Sequence, residues 1–166
     1  MKLTWDIEEQ DIEKVGSFYT KWSNDPFVRL RQERNIESPR PTITKEYTWM
    51  ALVGCLLTTQ QRSGPGSAVK RILDTNPFPL NYNECSSKRD LEKFARETLT
   101  SFGGIRRPPT IAQQISNNHE ILEKGLWPLL LSRGQEINVS DNPMLERDVA
   151  HLLAKHLDGI GPKQSR

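Results

Sequence analysis

The chain has 166 residues, 35 % of them hydrophobic, and its 23 Lys and Arg against 21 Asp and Glu leave a net charge of +2. That length fits one domain with an ordinary core, or one domain and part of another, and so small a net charge gives no compositional argument for nucleic acid. Two cysteines without a metal-ligand spacing exclude a disulfide scaffold and a zinc site, no apolar run is long enough to span a membrane, and the N-terminus has no secretion-signal pattern.

Residues 7–22 carry Ile7, Ile12, Val15, Phe18, Tyr19 and Trp22 at roughly helical spacing, with carboxylates early, where they suit the helix dipole. Asp25-Pro26 can open a second helix, and Ser38-Pro39-Arg40-Pro41 is a stiff, extended connector. These residues read as a helical extension, 1–43, packed on a main body that begins at residue 44. From Thr44 a helix with Trp49, Leu52, Val53, Leu56 and Leu57 is apolar almost all round, as a central buried helix is; Cys55 lies in it as a small core residue. It runs abruptly into Thr58-Thr59-Gln60-Gln61-Arg62-Ser63-Gly64.

Pro65 is expected to start the next helix, with Val69, Ile72 and Leu73 inward, and Asn76-Pro77-Phe78-Pro79 to end it. Ser87-Lys88-Arg89-Asp90 has the spacing of an N-cap before a helix with Leu91, Phe94, Ala95 and Leu99, which Phe102-Gly103-Gly104 stops. Thr110 is expected to cap another helix, with Ile111, Ile115 and Leu122 on one side and Lys124-Gly125 at its end. Leu126–Leu131 reads as a short apolar helix, and Ile137 and Val139 are too short a pair for a strand. Asn142-Pro143 opens the last full helix, with Leu145, Val149, Leu152, Leu153 and His156 at helical spacing. Strand signals are nearly absent, so the fold class is all-α. His119, His151 and His156 have no second ligand at metal spacing and read as structural or surface residues, so no metal and no cofactor is expected.

The last ten residues, Leu157-Asp158-Gly159-Ile160-Gly161-Pro162-Lys163-Gln164-Ser165-Arg166, carry the functional reading. Gly159 and Gly161 let the backbone turn with positive φ and let another backbone come close. Pro162 suits the first position of a new helix. Helix, tight hairpin and helix start together aim unpaired N–H groups and the positive end of a helix dipole outward, which makes a phosphate site.

Leu-x-Gly-Ile-Gly-x-Lys after an amphipathic helix resembles the hairpin of the helix-hairpin-helix (HhH-GPD) DNA glycosylases, the superfamily of endonuclease III and the oxoguanine glycosylases. The resemblance implies that Gly159, Gly161 and Gln164 grip the DNA backbone and that Lys163 is the Schiff-base nucleophile. An attacking amine must be unprotonated, and a place in the first turn of a helix in a partly desolvated pocket lowers a lysine's pKa. Two further stretches are similar to the same family. The apolar helix ending in Thr58-Thr59-Gln60-Gln61 matches the wedge that fills the stack beside an extruded nucleotide, with Gln60 favoured and Gln61 second; an amide can donate and accept, so it can bond whichever base edge faces it. The plain alternative is a polar helix end. Phe102-Gly103-Gly104-Ile105-Arg106-Arg107 before a helix matches a looser pattern in which Arg106 and Arg107 approach phosphate.

The match covers 44–166. The family continues into a Gly/Pro loop and an aspartate that stabilises charge on the sugar, and no acidic residue of 44–166 stands in that context. The expectation is therefore an N-terminal fragment of a longer glycosylase, weak or inactive alone, because the second hairpin helix is cut in its first turn. The implied activity is removal of a damaged base from duplex DNA with AP lyase chemistry, an oxidised base fitting a lysine-bearing member better than mismatched adenine. The implied partner is damaged double-stranded DNA, with no membrane, a monomeric state, and a nucleoid-associated cytoplasmic or nuclear location. The alternatives are a hairpin protein that binds DNA without chemistry and an all-α interaction scaffold without DNA affinity.

Overall fold

The computed structural model describes residues 7–33, 37–59, 61–140 and 142–161. Its described residues are helical or in turns and contain no strand. The chain divides into two units, Met1–Pro41 and Thr42–Arg166.

The first unit holds α1 (Glu9–Trp22) and α2 (Pro26–Gln32). Asp25 caps α2, its carboxylate accepting from the N–H groups of Phe27 and Val28 at 2.8 and 3.3 Å. The Tyr19 hydroxyl donates to Gln32 Oε1 at 2.9 Å and ties the two helices. Neither helix has a buried residue, and the apolar stripe Ile12, Val15 and Phe18 is about two-thirds exposed.

The second unit is built on α3 (Lys45–Thr58), which packs on α4 (Ala68–Asp74), α5 (Tyr82–Ser87), α7 (Pro108–Ile121) and α8 (Trp127–Val139). Thr44 caps α3. One face of α3 is buried, through Trp49, Leu52, Val53, Leu56 and Leu57, while Tyr47, Met50 and Ala51 are exposed. The helix that looked apolar all round is therefore one-sided. Cys55 lies half-buried beside that face, and burial pushes its thiol pKa up. Helix α6 (Leu91–Phe102) lies along α7, burying Leu91, Ala95 and Leu99 against Ile111, Ala112 and Ile115. Helix α9 (Pro143–His156) packs on α8.

Several boundaries differ from the sequence expectation, each for a local reason. Pro65-Gly66 makes a turn with Gly66 at φ +74°, and α4 starts at Ala68 under a Ser67 cap. Ser87 ends α5, a short helix capped by Asn81 and anchored by buried Cys85. Asp90, not Ser87, caps α6, through Lys93 N–H at 3.0 Å. Helix α7 starts two residues before Thr110, at Pro108. Two prolines fill its first positions, where the absent N–H groups need no cap. At Gly125 the expected stop is found: after the wider turn Leu122–Leu126 begins, Gly125 takes a non-helical φ of +123° and kinks the chain, and α8 starts beyond it, its last turn taking in Ile137 and Val139.

An aromatic and polar cluster locks that turn to the core. The Trp49 indole donates to the Leu80 carbonyl at 2.9 Å. Glu123 accepts from the Tyr82 hydroxyl at 2.6 Å and from the Trp127 indole at 2.7 Å. These bonds, Tyr82 first, hold the Glu123 carboxyl below its usual range. Lys45 lies over the Tyr82 and Trp127 rings, 5.2 and 5.3 Å from their centroids, and its hydrogen bond to Tyr82 is the main cause of its raised pKa. His119 meets Trp49 edge-on at 5.4 Å between centroids and shares a hydrogen bond with Ser86 at 3.0 Å.

Burial lowers the His119 pKa, Lys45 adds to the lowering, and Glu123 opposes it. The unfolded chain therefore binds a proton more readily than the folded one between that lowered value and about 6.5. Through this window His119 makes stability fall as pH falls, and above it His119 adds no slope. The native protein should lose more stability from pH 7 to pH 5 in urea unfolding than His119→Gln does. An equal loss in both would show that His119 carries no part of it.

Candidate functional site

The hairpin is reached through α9, which Asn142 opens by accepting from Met144 N–H at 3.0 Å. Helical geometry stops at Leu157, where the backbone is extended (φ −102°, ψ 133°). Leu157 and Ile160 point into the core, each 5 % exposed. The residues between them must therefore reverse the chain, and Gly159 does so at φ +75°, a conformation that costs an L side chain about 1–2 kcal/mol. A Cβ on Gly159 would also lie 2.5 Å from Gln114 Nε2, so the flexible end of that side chain would have to move aside.

Helix α7 holds the turn from below. Asn118 is completely buried. Its Oδ1 accepts from Asp158 N–H at 2.7 Å, and its Nδ2 donates to the Asp158 carbonyl at 2.9 Å. One residue earlier, Asn117 Nδ2 donates to the Asp158 carboxylate at 2.9 Å. Two backbone groups and one side chain of Asp158 are thus fixed to α7. Among the described residues, the N–H groups of Gly159, Ile160 and Gly161 have no hydrogen-bond partner. Consecutive amides without a partner at a glycine turn are the kind of groups that anions take.

At the other end of α7 two loops are joined. The Gln61 amide donates to the Leu57 carbonyl and accepts from Arg106 N–H, the latter at 2.8 Å. Gly104, at φ +74°, passes so close to α4 that a Cβ would lie 3.3 Å from Ala68 Cβ. The loop after α3 and the loop after α6 therefore pack on each other. Exposed Arg62, Lys70, Arg71, Arg106 and Arg107 belong to these loops and to α4. Arg62 donates to the Pro65 carbonyl at 3.3 Å, and Lys70 pairs with Asp74. Arg107 stands at φ +58°, a left-handed residue that turns the chain into α7.

Of the residues singled out in the sequence, Gln61 and Arg106 are brought into direct contact, and Gly159 and Gly161 into the clasped hairpin. Gln60, Lys163 and Gln164 lie outside the described residues. Gln61 braces two loops, with both ends of its amide used inside the protein. The two assemblies share α7, seven to eleven residues apart along it, which at 1.5 Å per residue is roughly 10–17 Å. Asn117, Asn118 and Gln114 were not expected in the site. A signal for Asn118 exists: it falls on the stripe Ile111, Ile115, Leu122, and a polar residue on a core stripe needs a buried partner.

Among the described residues, no group of His, Cys, Asp or Glu is placed to hold a metal ion, and no helix is long and apolar enough to cross a membrane. The Cys85 thiol is buried against the Leu80 carbonyl, its pKa pushed up to about 12 by burial, so it is a packed thiol and not a nucleophile. Comparison of the chain with protein family models, curated proteins and solved structures finds no match.

Gly159→Ala meets both the strained φ and the Gln114 side chain. It should lower unfolding stability by about 1–2 kcal/mol in urea titration. Gly64→Ala, where nothing lies within 4 Å and φ is ordinary, should stay within about 0.5 kcal/mol of native.

Proposed function

We propose that the protein is a base-excision DNA glycosylase of the helix-hairpin-helix class with AP lyase chemistry, acting on damaged duplex DNA. The observation that carries the reading is the hairpin after α9. Its apolar residues Leu157 and Ile160 are buried, and the amides of Gly159, Ile160 and Gly161 are left to a ligand. Backbone N–H groups of this kind position a phosphate without reading sequence. Lys163 follows Gly161 by two residues in the sequence, and by the resemblance to the family's hairpin it supplies the reacting amine.

The chemistry then follows from duplex DNA held there. The unprotonated Lys163 amine attacks C1′ of an extruded nucleotide, and the damaged base leaves with the electrons of the glycosidic bond and takes up a proton. The nitrogen, now bonded to C1′, gives up its extra proton, the C1′–O4′ bond breaks with O4′ taking up a proton, and the opened sugar remains on Lys163 as a protonated imine. Loss of a C2′ proton breaks the C3′–O bond by β-elimination and nicks the strand. Gln60 is assigned to the gap in the stack. Arg106 and Arg107 add charge near the second loop pair, so affinity should depend on salt.

The test is a duplex with a single abasic site, offered with borohydride. The native protein should give a covalent protein–DNA adduct, and Lys163→Ala should bind the duplex and give none. Duplex affinity should fall at least roughly tenfold between 50 and 200 mM salt. Binding without an adduct would leave a hairpin protein that grips DNA without chemistry. Absence of duplex affinity at low salt would overturn the reading altogether.

A further inference from the structure

We propose that Asn118 is the positioning residue of the hairpin: buried in α7, it sets the direction of the glycine amides and so determines duplex affinity without touching DNA. This rests on the reading of the hairpin as a DNA grip.

The position on the helix makes the choice of residue informative. Ile111, Ile115 and Leu122 share the buried face of α7 with Asn118, and an apolar residue at 118 would suit that face. A buried amide is strongly disfavoured unless both its ends are bonded. Here both ends go to one residue, Asp158, through its N–H at 2.7 Å and its carbonyl at 2.9 Å. The side chain therefore engages Asp158 as a neighbouring strand would, by one donor and one acceptor. A slip of one residue would break both bonds and withdraw Leu157 or Ile160 from the core. Asn117 adds the Asp158 carboxylate at 2.9 Å, so a negative charge beside the hairpin is tethered to α7.

The residue directly before Gly159 is thus fixed at three atoms. The amides that follow inherit their direction from it, because Leu157 and Ile160 are buried on either side. Asn118 carries no charge and, being buried, reaches no phosphate itself. Its loss should weaken binding at every salt concentration while leaving the dependence on salt unchanged, since that dependence counts charged contacts.

Asn118→Leu keeps the volume and removes both bonds. The variant should remain helical and bind an abasic-site duplex about tenfold more weakly than native, with the same slope of log affinity against log salt. Ile72→Val, a core change far from the hairpin in sequence, controls for stability and should bind as native does. A folded Asn118→Leu protein that binds like native overturns the proposal and leaves the DNA reading standing. Equal weakening by Ile72→Val overturns it too, by showing that affinity merely follows stability. A native protein without duplex affinity removes the DNA reading itself, and the role of Asn118 with it. Amide hydrogen exchange in the native protein keeps the claim open to refutation if Asn118→Leu does not fold. The Asp158 amide should be strongly protected, and exchange at the rate of an open loop would contradict the clasp.

Discussion

A buried asparagine side chain needs partners, and among the described residues that of Asn118 finds both of its partners on Asp158. That requirement joins the core and the candidate site into one structure. The face of α7 that packs on α6 also dictates where the chain must turn after α9. The turn in turn requires the positive φ of Gly159 and the burial of Leu157 and Ile160. Removing any of these would leave a polar group unpaired inside or an apolar residue outside. A hairpin held this way is set before a ligand arrives, so little ordering remains to oppose binding.

Helix α7 is the mount for more than the hairpin. At its start, Gln61 and Arg106 join the loops that follow α3 and α6. Beyond its end, the π-type turn brings Glu123 under Tyr82 and Trp127, with Lys45 across both rings. The helix is thereby fixed at both ends and along its buried face. Loops that carry function gain precision when rigid elements hold them. The α7 residues that contact the glycine turn and those that meet the basic loops are thereby spaced roughly 10–17 Å along the helix.

Much of this was readable from local pattern. The apolar spacing of α3, α6 and α9, the Gly103-Gly104 stop and the turn at Gly159 each rest on residues close together in sequence. Local signals misled where two of them competed. Ser87 has cap chemistry, but Asn81 had already started a helix that Ser87 ends. Pairings between distant residues left no local trace. Gln61, second to Gln60 as a wedge by resemblance, bonds Leu57 and Arg106, the latter 45 positions away. Asn118 is the intermediate case, because its place on a core stripe announces a buried partner without naming Asp158.

The central claim is that the hairpin amides are where the protein meets DNA. The most direct measurement is an amide ¹H–¹⁵N chemical-shift titration with a short duplex containing a stable abasic-site analogue. The account expects the largest shifts at Gly159, Ile160 and Gly161, with smaller ones at Arg106 and Arg107, and little change in α5. A titration that leaves the three hairpin amides unmoved while shifting resonances elsewhere, or that shifts none, would contradict it.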